Sequence, residues 1–403
     1  MQPSSSQIKK HFAWSRRMKP FSKEICDQTK DKELIVYGTG AVGEVVTQAL
    51  LNWGRMPNLY CDHDPEKKVF FNRTVISPDR LKHHQNAVVI LAFKDFLRSA
   101  VSFLRDAGIR ECYSAESLIL ESFDDVCLSK GAQEFLVRKG HYHDLILLSE
   151  AEDPLVFQHL EWMLTERCTL RCRDCSALIP YFCNPRDHAF YKTANALNRV
   201  LTAADYISEL SILGGEPLLY PYFADAITSY AGHEKIGAIV VYTNGTVLPN
   251  ETQLAALQAD NVWVHISDYG PCSKHLSKLE ALFTERGIRF FSKRYDTWQS
   301  TGNLCLREED ESRLAWKYER CFKARCYSLF EDKLYGCARA SNGAAAGQLP
   351  ERDYVSFSEN RTPLQDRAEL MKLFSLPYLN ACRYCGGMIE GNADIIPAIQ
   401  QTD

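Results

Sequence analysis

The stretch Cys168-Thr169-Leu170-Arg171-Cys172-Arg173-Asp174-Cys175 decides the reading of this chain. Three thiols stand at x3 and x2 spacing on one loop, directly after the apolar run 161–164. Cysteine thiolates are the usual ligands of iron–sulfur clusters, and three of them hold three irons of a [4Fe–4S] cluster and leave the fourth iron open. An open coordination position is what a metal needs to take a substrate or cofactor directly, whereas a structural site is closed. The competing reading is a zinc knuckle with Cys183 as fourth ligand.

Outward from this loop the pattern alternates. Strand candidates fall at 161–164, 206–213, 238–243, 262–267 and 288–292, and helical patterns at 193–203, 222–230, 251–257 and 275–286. Repeated βα units of this size predict a full or partial βα barrel with its chemistry at the C-terminal strand ends. Gly214-Gly215-Glu216-Pro217 closes the second strand, Thr243-Asn244-Gly245 ends the third and Ser267 ends the fourth. Gly214 and Gly215 allow backbone to approach a ligand closely, and Glu216 can accept from a cationic ammonium.

Together these motifs resemble the radical S-adenosylmethionine (SAM) superfamily, in register over roughly 160–295. The resemblance implies that Cys168, Cys172 and Cys175 hold the cluster. It implies that Gly214, Gly215, Glu216 and Pro217 hold the methionine amino group, with Asn244 and Ser267 also at the SAM site. It further implies that SAM is split to a 5′-deoxyadenosyl radical that abstracts hydrogen from an unactivated C–H bond, with an external one-electron reductant.

Of the 15 cysteines, eleven lie from Cys168 onward. Cys326 and Cys337 flank a β-hairpin pattern turning near Glu331-Asp332-Lys333, and Cys382-Arg383-Tyr384-Cys385 follows. Four such cysteines suit a complete second [4Fe–4S] cluster, with Cys321 as a replacement for Cys326 and zinc as an alternative. The set resembles the twitch domain, a shortened SPASM extension of the same superfamily; no cysteine follows Cys385. Cys183, Cys272, Cys305 and Cys321 are candidate hydrogen donors to a carbon radical, though a free cysteine is more often a small buried hydrophobe. Asp268, Tyr269 and Asp296, near the fourth strand end, are candidate catalytic contacts to substrate.

The N-terminal part reads differently. Strand candidates at 34–37, 59–61, 87–92 and 109–113 alternate with helical patterns. Gly38, Gly40 and Gly43 form a G-x-G-x-x-G set between strand and helix, and Asp62 ends the next strand, where a ribose hydroxyl would be read. Close strand–helix packing is the plainer explanation of the glycines. The segment resembles the Rossmann-like N-terminal domains of some bacterial sugar-modifying enzymes, which implies a nucleotide or nucleotide-sugar site with Asp62 and Asp64 as its acidic pair.

The whole is thus expected to be α/β: an N-terminal Rossmann-like parallel sheet plus a partial radical SAM barrel with a small cysteine-rich extension. The expected parts are a polar arm (1–30), the Rossmann-like domain (31–120), a connector (121–158), the partial barrel (159–300) and the auxiliary-cluster domain (301–403). Residues 343–347 read as a low-complexity loop. His83, His84, His141 and His143 read as ordinary surface or interface histidines, because no cysteine or acid stands beside them at ligand spacing. A net charge of −4 argues against nucleic-acid binding. Apolar runs are too short for a membrane helix, and the polar start lacks a signal-peptide core. A cytoplasmic enzyme on a small molecule, a sugar or sugar nucleotide, is the leading expectation. A peptide-modifying maturase is the alternative, and a non-catalytic iron–sulfur sensor the third reading.

Overall fold

The computed structural model describes residues 19–93, 97–121, 123, 127–137, 154–389 and 391–401. His141 and His143 lie outside these residues, as does most of the expected connector. The chain forms two compact units, Met1–Pro154 and Leu155–Asp403, each a mixture of helices and parallel strands.

The first unit is built on one seven-stranded sheet. Its strands are β1 (Lys19–Pro20), β2 (Leu34–Tyr37), β3 (Leu59–Cys61), β4 (Val69–Phe70), β5 (Arg73–Ile76), β6 (Val88–Leu91) and β7 (Glu111–Ser114), in the order β1-β7-β6-β2-β3-β5-β4. All neighbours pair parallel except β4 with β5. Every residue of β2 and β6 is buried, as expected where helices cover both faces of a parallel sheet. The chain reverses direction of build between β2 and β6, and the glycine loop sits at the C-terminal end of β2, the place where such sheets open a crevice.

The second unit carries an eight-stranded sheet. Its strands are β8 (Val156–Met163), β9 (Tyr206–Leu213), β10 (Ile236–Thr243), β11 (Val262–Asp268), β12 (Phe290–Arg294), β14 (Cys326–Phe330), β15 (Lys333–Tyr335) and β16 (Tyr354–Ser356); β13 (Trp298–Gln299) and β17 (Asp394–Ile395) form a separate pair. The order is β12-β11-β10-β9-β8-β14-β15-β16, with β8 to β12 parallel and β14 parallel to β8. The cysteine hairpin therefore continues the sheet rather than standing apart from it. Its two-residue turn places Glu331 at φ 51°.

Side chains alternate across strands, and here the two faces differ in character. Leu160, Trp162, Leu210, Ile212, Val241, Val264 and Ile266 join the main hydrophobic cluster. The opposite face carries His159, Glu161, Glu209, Ser211, Tyr242 and His265. Residues 343–347 depart from the loop reading: Gly343 lies inside the helix Ala338–Ala345. Alanine is the best helix former, and Gly343 is needed there because a Cβ would come 2.5 Å from the Leu349 side chain.

Candidate active site

The C-terminal ends of β8, β9, β10 and β11 meet around the cysteine loop. Gly214 and Gly215 pack against the residues just before it. A Cβ on Gly214 would sit 2.5 Å from the Thr165 carbonyl oxygen, and one on Gly215 2.2 Å from that of Arg167. Glycine is thus required by the close approach of two chain segments. Asn244 donates to Cys168 Sγ at 3.5 Å and to Thr169 Oγ1 at 3.2 Å, tying the end of β10 to the loop.

Glu216 is engaged within the fold. Its side chain is fully buried and knits β9 to β10, accepting from Asn244 N at 2.9 Å, Thr243 Oγ1 at 2.9 Å and Leu218 N at 3.2 Å. Burial pushes its carboxyl up to about 7 against these donors. Burial likewise pushes the Cys168 thiol up to about 12 and Cys172 to about 11, and raises Cys175.

Residues 398–401 lie over the same loop as a strap. Arg173 N donates to Ile399 O and Gln401 N to Arg171 O, both at 2.8 Å. The Gln400 amide closes the arrangement: its oxygen accepts from Arg171 N at 2.8 Å and its nitrogen donates to Cys172 Sγ at 3.4 Å. Nothing in the sequence pattern pointed to Gln400.

The candidate catalytic residues separate. Tyr269 packs against Tyr295 and Trp298, and burial raises its hydroxyl pKa despite a hydrogen bond from Ser267. Asp268 accepts from Gly270 N at 2.7 Å and pairs with Arg294 at 3.2 Å. Asp296 lies on the surface, its side chain 83% exposed and paired with the same arginine. Ser267 is buried, with its carbonyl bonded to Ser273 Oγ at 3.0 Å.

A cavity of about 110 Å³ lies at the second cysteine set and is bordered by Gly214. Its lining includes Ser176, Ala177, Leu213 and Gly214 as well as Cys321, Cys337, Cys382 and Cys385. Cys326 is not on its wall; the Cys326 thiol faces the Phe322 carbonyl at 3.7 Å. The structure therefore groups Cys321, not Cys326, with the hairpin and CxxC cysteines. Lys317, almost fully buried, pins the CxxC turn through Cys382 O at 2.7 Å, Cys385 O at 2.8 Å and an ion pair with Glu309. Among the described residues, no three His, Cys, Asp or Glu side chains are arranged to hold a single metal ion.

In the first unit, two of the three glycines are explained by packing. Gly38 has φ +117° and a Cβ there would lie 2.5 Å from Ala92 O; a Cβ on Gly43 would lie 2.1 Å from Gly38 O. Gly40, just before the helix Ala41–Asn52, has open space around it. Asp62 is engaged locally: Thr39 N, the Thr39 hydroxyl and Lys67 reach Oδ2, and Asp64 N reaches Oδ1 at 3.0 Å. Burial works against the Asp62 charge, but these hydrogen bonds outweigh it and hold the carboxyl below the ordinary range.

Residues 162–268, which include the cysteine loop and the strand ends around it, match the family model of the radical SAM superfamily. Among solved structures the chain is similar to anSMEcpe with bound AdoMet, at 14% identity over 60% of this chain and 93% of that one, TM-score 0.38. It is also similar to BtrN in complex with AdoMet and 2-DOIA (14% identity, 61% and 97% covered, TM-score 0.35). A third similarity is to Streptococcus suis SuiB bound to S-adenosylmethionine (18% identity, 51% and 46% covered, TM-score 0.30). Against a histidine-tagged anSMEcpe and against SuiB, this chain spans 43% and 46% of the other chain's length. No curated protein matches it. No helix among the described residues is long and apolar enough to cross a membrane.

Proposed function

We propose that the protein is a radical SAM enzyme that removes hydrogen from a carbohydrate or sugar nucleotide, in a dehydrogenation or an epimerisation. The observation that carries this reading is a cavity lined by Ser176, Ala177 and Gly214, which adjoin the cysteine loop and the end of β9, together with four further cysteines. The donor set suits the cofactors. Three cysteines with no fourth ligand in their loop suit a [4Fe–4S] cluster open at one iron, and Cys321, Cys337, Cys382 and Cys385 suit a closed one. Cys168, Cys172 and Cys175 would hold the cluster, which with one electron from an external reductant would split SAM into methionine and a 5′-deoxyadenosyl radical.

The chain's own residues hold and shield this chemistry. Asn244 and Gln400 donate to cysteine sulfurs, which stabilises them as thiolate ligands. Gly214, Gly215, Glu216 and Pro217 would hold the methionine ammonium at the end of β9. Tyr269 closes the side next to Cys172. The polar face with Glu161, Glu209, Ser211, Tyr242 and His265 supports a hydroxyl-rich substrate. For the first unit the reading is a nucleotide at the Gly40 side of the glycine loop, with Asp62 ordering that loop through Thr39.

Iron counting on anaerobically reconstituted protein tests the scheme. About eight irons are expected for two [4Fe–4S] clusters. Changing Cys168, Cys172 and Cys175 together to Ala should leave about four and end 5′-deoxyadenosine formation. Persistent SAM cleavage in that variant would refute the assignment.

A further inference from the structure

The side chain of Gln400 is held in one orientation by the chemistry of its neighbours. Arg171 N is a backbone donor, so the atom facing it at 2.8 Å is the amide oxygen. Ala398 O is an acceptor, so the atom facing it at 2.7 Å is the amide nitrogen. That nitrogen carries two hydrogens. One is taken by Ala398 O, and the other is left for Cys172 Sγ at 3.4 Å. The backbone fixes the same register. Gln400 and Cys172 stand opposite each other in an antiparallel bridge, flanked by the bonds from Arg173 N to Ile399 O and from Gln401 N to Arg171 O. A slip of one residue would turn the amide to the other face.

The placement matters for charge. Cys172 is 8% exposed, and a hydrogen bond is electrostatically stronger in such a setting than in water. Cys168 has donors from Leu170 N at 3.4 Å and Asn244 Nδ2 at 3.5 Å, one in the loop and one at the end of β10. The donor to Cys172 arrives instead on the strap. A cluster that gains an electron carries more negative charge on its ligand sulfurs. Hydrogen bonds strengthen as the acceptor becomes ionic, so a donor aimed at a sulfur favours the reduced form over the oxidised one. Hydrogen bonds to the sulfurs are accordingly among the levers on a cluster's reduction potential. A carboxamide suits the position because it accepts from the loop backbone and donates to the sulfur at once; a carboxylate does only the first and an ammonium only the second.

We propose that Gln400 is a positioning residue that raises the reduction potential of a [4Fe–4S] cluster held by Cys168, Cys172 and Cys175, through its N–H bond to Cys172 Sγ. The proposal rests on the radical SAM reading above and adds to it the residue that makes this cluster easier to reduce.

The test is a redox titration of the anaerobically reconstituted full chain. It follows the electron paramagnetic resonance signal of the reduced cluster that changes when SAM is added, a response that separates the first cluster from the second. Gln400→Met keeps the side-chain length and neutrality and loses both bonds. Gln400→Glu keeps an oxygen for Arg171 N, loses the donor to sulfur and adds a negative charge. The midpoint should fall at least threefold in the one-electron equilibrium, about 28 mV, in Gln400→Met, and at least tenfold, about 59 mV, in Gln400→Glu. Iron content should stay at the wild-type value in both. Unchanged midpoints with iron retained would overturn the proposal and leave the radical SAM reading standing. A fall in Gln400→Glu alone would overturn it too, since the added charge would account for it. Loss of the SAM-responsive cluster from both variants would overturn it by giving the strap a purely structural hold on the loop. A wild type without a SAM-responsive cluster would overturn both readings.

Discussion

Replacing Lys317 by Met keeps the length of the side chain and removes only its charged head. That head has three N–H donors, and the fold supplies three acceptors: Glu309, Cys382 O and Cys385 O. The variant leaves the Cys385 carbonyl and the Glu309 carboxylate unpaired, while Cys382 O keeps a bond from Cys385 N at 3.4 Å. Glu309 is 23% exposed and finds water, so its loss is modest. Each buried carbonyl left without a donor costs about 1–3 kcal/mol, and breaking a buried ion pair costs about 3–5. With the Met stem filling the space, the expected destabilisation of the second unit is about 3 kcal/mol. For a unit of this size that is a fall of about 6–12 °C in Tm. Urea and thermal unfolding of iron-free protein measure it, and a chelator challenge measures how fast reconstituted iron leaves. A loss below about 1 kcal/mol with normal iron retention would show that the lysine does not pin the CxxC turn.

Three other outcomes are expected. Cys321→Ser should remove about four irons while Cys326→Ser keeps them; the reverse would return Cys326 to the ligand set. Glu216 has its folded pKa raised from 4.5 to about 7, so its favourable contribution is full below about 4.5 and is lost as pH rises through 7. At 1.36 kcal/mol per pH unit that is about 3 kcal/mol, and the stability gap between wild type and Glu216→Gln should shift in favour of the variant by about 2–3 kcal/mol from pH 5 to pH 8; a constant gap refutes it. In the first unit, Gly40→Val should leave Tm unchanged and abolish any nucleotide binding, while Gly43→Ala, whose Cβ meets Gly38 O, should destabilise by about 1–3 kcal/mol.

The parallel strands were legible because they are apolar, bounded and regularly spaced. Tyr206–Leu213 and the helix Glu251–Leu257 match their readings to the residue. The strand Val156–Met163 begins five residues before the reading. Gln158 and His159, both half-buried, interrupt its apolar run, so the pattern shows only the part from Glu161 onward. Short strands such as Val69–Phe70 and Tyr354–Ser356 carry too few residues for a period to show. The choice between Cys321 and Cys326 was invisible in spacing. It depends on one thiol ending the helix Glu311–Arg320 beside the cavity while the other opens β14 opposite His159. Gln400 carried no signal, since its partner lies 228 positions away.

That distance has a bearing on the order in which the protein is assembled. The amide of Arg171 is held by a side chain 229 positions later, and Arg173 is held by Ile399. Contacts closed over such spans form late, because the closure entropy must be met before the contacts reward it. The three thiols emerge together within eight residues, yet the loop that presents them is not set until the strap has docked. On the proposed role, iron uptake at this loop becomes a checkpoint on the downstream fold. A chain whose hairpin and strap have not formed would offer three loose thiols, and cluster insertion would favour molecules that have already finished folding.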